Sequence, residues 1–243
     1  MMSPKYLLFL IAILLIVGAG AGWFIYKDFV KSKTNVAPIT NDEQKILTPE
    51  EIKQRIPNLE KEIIIKAQIS EAQKQKTIQE IKDTRSKLTA DYDDLANWLQ
   101  LGLLYKAVED YPSAVEAWVF ASLIRPRDWV AFHNLGDLYW MNIKDFPKAE
   151  IYFRKAIANN SHPMVFQKLY ELYRYSYTEK ASLAVDVLKE GIAVNPKEPA
   201  LIVVLADYYR DTGSKTNALD YYKRALELVP GNTYIVENLN KLK

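Results

Sequence analysis

The chain has 243 residues, 32 Lys and Arg against 30 Asp and Glu, and no cysteine. A net charge of +2 excludes the strong basic field that draws in nucleic acid. Without cysteine there are no disulfide staples, thiolate metal sites, cysteine nucleophiles or lipid-modified amino-terminal cysteines, and redox chemistry says nothing about the compartment. Tyrosine is abundant and glycine scarce, which favours helix pairs packed through aromatic side chains, so the expected class is all-α.

From Leu7 to Tyr26 about twenty residues run without a charge, enough to cross a bilayer core at about 1.5 Å per residue. Lys5 precedes the run, Lys27, Lys31 and Lys33 come after it, and Trp23 and Tyr26 sit where an interfacial aromatic belt would lie. Residues 1–27 are therefore expected to form a single-pass transmembrane anchor. A cleaved signal peptide is the competing reading, because Ala19-Gly20-Ala21 has the small-x-small pattern of a cleavage site. The apolar run nevertheless continues past it through Trp23 to Tyr26, which a cleaved signal does not need. Gly18 and Gly22 have the G-x-x-x-G spacing that lets two helices approach, the basis for weak self-association through the anchor. The lysines after the span favour a cytoplasmic body, whereas a five-residue tail with Lys5 is similar to a signal anchor whose body is exported. The expectation is an extracytoplasmic body, with placement on the cytoplasmic face, or secretion after cleavage, as alternatives.

Residues 28–47 are polar, contain Pro38 and have no sustained apolar period, so they read as a flexible linker. Thr48-Pro49-Glu50-Glu51 then reads as a helix start, with Thr48 as N-cap and proline at the first helical position. That helix should end near Pro57. Between Leu59 and Leu88 a longer charged helix is expected, with Ile63, Ile64, Ala67, Ile78, Ile81 and Leu88 as an imperfect apolar stripe. Residues 48–94 would thus form charged amphipathic helices that cap the carboxyl-terminal part of the chain. A coiled-coil stalk is the alternative, against which the heptad pattern lapses from Glu71 to Lys76.

The remainder is repetitive. Trp98-x-x-Leu101-Gly102-x-x-Tyr105 is succeeded by Ala114, Trp118, Ala121 and Pro126. Phe132-x-x-Leu135-Gly136-x-x-Tyr139 begins 34 residues later and continues with Ala149, Phe153 and Ala156 after a one-residue insertion in the Asn142–Pro147 turn. Ile202-x-x-Leu205-Ala206-x-x-Tyr209, with Ala218, Tyr222, Ala225 and Pro230, is a further clear copy. Between them lies a poorer one, with Phe166, Leu169, Tyr173, Ala184, Leu188, Gly191 and Pro196. There Tyr170 replaces the small residue and the turn around Ser176–Ala181 is longer, so looser packing is expected. Small residues let paired backbones approach, and large ones fill the space between pairs. A lone pair cannot bury its apolar face, so several must stack and the last needs a polar cap, here residues 232–243.

This pattern resembles the tetratricopeptide repeat (TPR) family over residues 95–243. Four units are expected, at about 95–128, 129–162, 163–198 and 199–231. The resemblance implies a right-handed superhelical solenoid of antiparallel helix pairs whose concave face, lined by the first helix of each pair, takes a peptide or partner helix. On that resemblance the groove residues are Ala96, Leu99 and Leu103 in the first unit and His133, Asp137 and Trp140 in the second. The third contributes Gln167, Glu171, Arg174 and Tyr175, and the fourth Val203, Asp207, Arg210 and Asp211. The lysine, asparagine and arginine set with which some family members clamp a terminal carboxylate is absent. Asp137, Glu171 and Asp207 recur at one place in successive units. They read either as an acidic ladder for basic or amide-rich peptides or as members of ion pairs within the array. The irregular third unit adds Tyr170, Tyr175 and Tyr177, where binding is expected to concentrate.

Catalytic motifs do not appear. His133 and His162 are the only histidines and lack ligand spacing, so no metal is expected. No phosphate-cradling glycine loop or nucleophile elbow occurs, so neither cofactor nor enzymatic activity is expected. Asp91, Asp93 and Asp94 are explained by capping and solvation. The expected function is a membrane-tethered interaction scaffold for protein or peptide partners in envelope-associated complex assembly. Its bacterial setting is an analogy to anchored TPR proteins that assist envelope assembly, pilus biogenesis or translocation. The alternative is a non-catalytic regulatory or substrate-binding subunit of a membrane enzyme complex.

Overall fold

The computed structural model describes residues 47–242. The anchor expected over residues 1–27, and all but the last residue of the linker expected over 28–47, lie outside the described residues. Among those described, no helix is long and apolar enough to cross a membrane.

The described chain is all-α. Helix α1 (Pro49–Lys53) begins as its sequence dictates: Thr48 Oγ1 accepts from the Glu51 amide at 3.2 Å, and Glu51 Oε2 accepts from the Thr48 amide at 2.9 Å. The single helix expected from Leu59 to Leu88 is not formed. Residues 59–70 form an irregular arm with a turn at Leu59–Glu60 and bends at Lys61 and Ala67, and α2 (Glu71–Ala90) is capped by Ser70, which forms its own capping box with Gln73. The physical reason lies in Ile63-Ile64-Ile65, a β-branched run with poor helix propensity. Burial along this arm alternates with period two: Lys61, Ile63, Ile65, Ala67 and Ile69 turn inward, whereas Glu62, Ile64, Lys66 and Gln68 are exposed. Once α2 has begun, Ile81, Thr84, Arg85 and Leu88 form its buried stripe at helical spacing and pack against the first repeat.

The repeats are antiparallel pairs. They are α3 (Leu95–Ala107) with α4 (Tyr111–Ile124), α5 (Trp129–Leu138) with α6 (Phe146–Asn159), α7 (Pro163–Glu171) with α8 (Ala184–Val194), and α9 (Pro199–Asp211) with α10 (Lys215–Leu228). Helix α11 (Thr233–Lys241) closes the array. Each helix packs chiefly on its neighbours in the chain, the arrangement of a solenoid. Asp94, Asp110, Asp128 and Asp145 each accept a backbone N–H at the start of a helix.

Close approach within each pair depends on a small residue facing a large one. A Cβ added at Gly102 would lie 2.2 Å from Trp118 Nε1, and one at Gly136 would lie 2.6 Å from Phe153 Cδ1. In the third pair the sizes are exchanged. Tyr170 takes the small position on α7, while Gly191 on α8 receives Phe166, where an added Cβ would meet its ring at 2.8 Å. Tyr170 is only 4 % exposed, its bulk accommodated beside Tyr208 of the next pair.

The second and third pairs depart from the others where their first helix ends. Tyr139–Ile143 and Leu172–Ser176 are π-helical turns. The wider ring of a π turn absorbs one extra residue without unwinding the helix, which accounts for the insertion in the second unit. Lys144 comes next with φ of 65°, matching Glu109 at 60° in the first pair and Gly213 at 79° in the fourth. In the third unit the extra length forms a 3-10 segment, Thr178–Leu183. Buried Glu150 of α6 holds that segment, accepting from Lys180 Nζ at 2.6 Å and from the Tyr173 hydroxyl at 2.7 Å.

The arm and α2 are locked to the first pair through Arg85. Arg85 is 8 % exposed, and its guanidinium donates to the Tyr105 hydroxyl at 2.7 and 2.9 Å and to the Lys61 carbonyl at 2.8 Å. Lys61 in turn ion-pairs with Glu116 of α4, and the Lys66 amide donates to the Val108 carbonyl at 2.9 Å.

Gly102→Ala is expected to destabilise the described array by about 2–3 kcal/mol, since the buried Trp118 ring has nowhere to move; chemical denaturation measures it. Lys144→Gly is expected to stabilise by about 0.5–1 kcal/mol by relieving a left-handed residue, read as a higher melting temperature.

Candidate functional site

The first helices of the pairs carry the residues expected to face a partner. On α3, Leu103 is exposed and Leu99 half-buried. On α5, Asp137 is tied to Lys106 of α3 at 2.7 Å. On α7, Glu171 accepts from Gln167 at 2.9 Å and from Lys168 at 3.1 Å. On α9, Asp207 pairs with Arg210 at 3.0 Å and accepts hydrogen bonds from the Tyr222 and Tyr234 hydroxyls. The three carboxylates that recur along this face are therefore each matched by a cation of the array. Their charge is largely neutralised at home, which weakens them as a ladder for a basic ligand.

Arg210 is equally engaged. It donates to Tyr222 Oη at 2.9 Å, Tyr234 Oη at 3.2 Å and Asn238 Oδ1 at 2.7 Å, and pairs with Asp211 at 2.8 Å. These bonds, led by the one to Tyr234, hold its pKa above the ordinary arginine range. The Tyr222 phenol is pushed up, chiefly by burial and then by its bond to Asp207. Asp207 and Arg210 thus fasten α11 to the fourth pair.

Trp140, expected to line an open groove, does not. The π turn carries its ring inward to 8 % exposure, 6.3 Å edge-on from Phe153, with Nε1 donating to Ser176 Oγ at 2.8 Å. Lys168 lies 5.5 Å over the same ring. His133 is also turned in: its Nδ1 is buried without a partner among the described residues, and its ring stands between Trp129 at 5.7 Å and Phe153 at 6.0 Å. Burial pushes the His133 pKa below the ordinary histidine value against the opposing pull of Asp137.

Besides Leu103, an open aromatic surface lies at the junction of the third and fourth pairs. Tyr175 is 67 % exposed, held edge-on to Tyr170 at 6.3 Å, and Tyr170 meets Tyr208 edge-on at 6.5 Å. The Arg174 guanidinium lies 4.9 Å over the Tyr208 ring. Half-buried Val203 is on the same helix as Tyr208. The structure brings Arg174 and Tyr175 together with Tyr170, whereas Tyr177 packs away from Tyr170 against Phe146 and Tyr173. Sequence reasoning missed Tyr208. The signal was its place beside Asp207, one residue before the marker Tyr209, but the contact with Tyr170 runs between units and the motif describes only one. The arrangement offers stacking, edge contacts and a cation; among the described residues no group of three or more His, Cys, Asp or Glu is gathered to hold a metal.

Half-buried His133, its pKa held down by burial, is expected to make the array pH-sensitive. A histidine with depressed folded pKa takes up its proton more readily in the unfolded chain, so stability is full above about pH 6.5 and falls as pH drops below it. Urea denaturation at about pH 7 and about pH 5.5, on either side of the ordinary histidine value, should show a loss on acidification that is reduced in His133→Phe.

A family model for the tetratricopeptide repeat matches residues 99–162 and 173–233. A curated relative, BBSome complex member BBS4 of Bos taurus, is 25% identical over 124 residues, which are 50% of this chain and 23% of that protein. The chain thus spans about a quarter of the length of the curated relative it matches. Among solved structures, PilF of Pseudomonas aeruginosa is similar with a TM-score of 0.50 and 18% identity, over 70% of this chain and 81% of that one. PilW, a type IV pilus biogenesis factor, is similar with a TM-score of 0.50 and 19% identity, over 70% and 80%. At these identities the likeness is one of fold. With its packing markers in place and half its length matched by the family model, the chain belongs to the tetratricopeptide repeat family.

Proposed function

We propose that this protein is a membrane-tethered interaction scaffold whose tetratricopeptide array binds a peptide or partner protein, with the Tyr175, Tyr170, Tyr208 and Arg174 cluster as the centre of contact. The observation that carries this reading is the exposure of Tyr175 on a rigid aromatic support. Tyrosine and arginine bury large area with few rotors and dominate binding energy at protein interfaces. Elsewhere on the first helices Asp137, Glu171, Asp207 and Arg210 are already paired within the array, so less is gained by a ligand there. The family as a whole consists of interaction modules, which supports a non-catalytic role.

Tethering rests on the uncharged run from Leu7 to Tyr26, and the proposal places the array on the extracytoplasmic side, in envelope-associated complex assembly. Tethering confines partner and array to one surface and raises their effective concentration.

Affinity capture with the intact chain tests the reading. Tyr175→Ala and Arg174→Ala are each expected to weaken capture of the principal partner about tenfold, as hot-spot truncations of about 1–2 kcal/mol do, while helicity by circular dichroism stays unchanged. Capture undiminished in the double variant would remove the cluster from the interface. One enzyme recovered in fixed stoichiometry would favour a regulatory subunit over a general scaffold. Fractionation of the chain into the soluble phase would contradict tethering.

A further inference from the structure

The cations along the first helices are not all neutralised in the same way. Lys106, near the end of α3, reaches across to the next pair and meets Asp137 at 2.7 Å. In the repeat register Arg174 of the third unit corresponds to Lys106, and Asp207 of the fourth corresponds to Asp137, so the same bridge between units is open to them. It does not form. Asp207 is taken instead by Arg210 at 3.0 Å and by the Tyr222 and Tyr234 hydroxyls. Arg210 also holds Asp211, and Glu171 is held by Gln167 and Lys168. Half-buried Arg174 is left without a hydrogen bond or ion pair among the described residues.

What Arg174 has is a platform. Its guanidinium lies 4.9 Å over the Tyr208 ring. That contact satisfies none of its N–H donors, and a planar fork of donors matches a carboxylate bidentately. Tyr170 meets Tyr208 edge-on, and Tyr175, which is exposed, lies edge-on to Tyr170. A cation with no counter-charge of its own therefore stands beside the open aromatic surface. Burial has already removed part of its hydration, so pairing with a carboxylate costs it less than it would a fully solvated arginine.

We propose that this cluster binds an acidic segment of a partner protein: a side-chain carboxylate of Asp or Glu pairs with Arg174, and an aromatic or large aliphatic residue close to it packs on Tyr175 and Tyr170. This ligand chemistry rests on the cluster being the centre of contact and adds what the cluster recognises. Its sign is opposite to the one that Asp137, Glu171 and Asp207 suggest by themselves, because those carboxylates are already matched by cations of the array.

Peptide selection on the full chain, purified in detergent, tests the proposal without a known partner. The probes are random linear peptides displayed through their carboxyl-terminal ends, so that no free terminal carboxylate is offered. Peptides that bind the unaltered chain and are lost on Tyr175→Ala are expected to carry Asp or Glu close to an aromatic or large aliphatic residue. Such a peptide, synthesised with an amidated end, should bind about tenfold more weakly when its acid is replaced by the corresponding amide, and about tenfold more weakly to Arg174→Gln. The two losses should not add when combined, since each removes the same charge-assisted bond. A lysine in place of the acid should bind Arg174→Glu better than it binds the unaltered chain. Peptides that need Tyr175 but are neutral or basic overturn the acidic ligand and leave the cluster as the contact site. Losses that add in full also overturn it, because acid and arginine then act separately. Recovery of no peptide, or of peptides indifferent to both Tyr175→Ala and Arg174→Gln, overturns the cluster as contact site together with its ligand. Binding of the synthetic peptides only when their carboxyl terminus is free assigns Arg174 to a chain end and overturns the side-chain carboxylate. Helicity by circular dichroism checks that each variant is folded.

Discussion

The structure depends on how closely two helix backbones can approach. Gly102 lies against the Trp118 indole and Gly136 against the Phe153 ring at distances that leave no room for a methyl group. Each contact does two things. It brings the pair to short interaxial distance, and it directs a large aromatic into the interior, where the next pair packs on it. Register therefore propagates along the chain from a few size-matched contacts. The third pair shows that the constraint is on summed volume rather than on residue identity: with Tyr170 in the small position, Gly191 supplies the space from the opposite helix. The looser packing expected there is replaced by an exchange of sizes, and Tyr170 is covered by the next pair.

That exchange also shapes the surface. Pushing a tyrosine outward from the third pair brings it to Tyr208 of the fourth and gives Tyr175 an aromatic support. The same first helix ends in a π turn, which alters the azimuth of its last residues. In the second pair a similar turn sends Trp140 inward instead, because Ser176 and Lys168 of the third pair receive it. Two turns of one kind thus have opposite effects on exposure, decided by what stands opposite. The carboxylates Asp137, Glu171 and Asp207 show a related contrast. They occupy one repeat position but are matched by Lys106, Lys168 and Arg210, from three different relations in sequence.

At the ends of the array, exposed apolar surface is managed in two ways. Helix α11 is fastened by the Asp207 and Arg210 network through Tyr234 and Asn238. At the other end Arg85 joins α2, the arm and Tyr105 of the first pair. A buried guanidinium is tolerable there because its donors are used on a hydroxyl and a carbonyl that would otherwise be poorly satisfied. The arm is thereby held in place.

The repeat positions, the small-against-large pairing, the Thr48 cap and the all-α class were legible in the sequence, because each depends on residues a few positions apart whose spacing repeats. The same is true of the one-residue insertion, although not of its resolution as a π turn. The arm was misread because over so short a stretch a 3.6-residue period fits Ile63, Ile64 and Ala67 while a 2-residue period fits Ile63, Ile65 and Ala67. Propensity of the isoleucine run and the Ser70 and Gln73 box were the local signals against one long helix. Tertiary structure alone decided which first-helix residues stay open. Trp140 and His133 turn inward, Arg210 is engaged by the last helix, and Tyr175 stays exposed on Tyr170, because those outcomes depend on side chains from neighbouring pairs. A repeat motif describes the inside of one unit, whereas exposure is set between units.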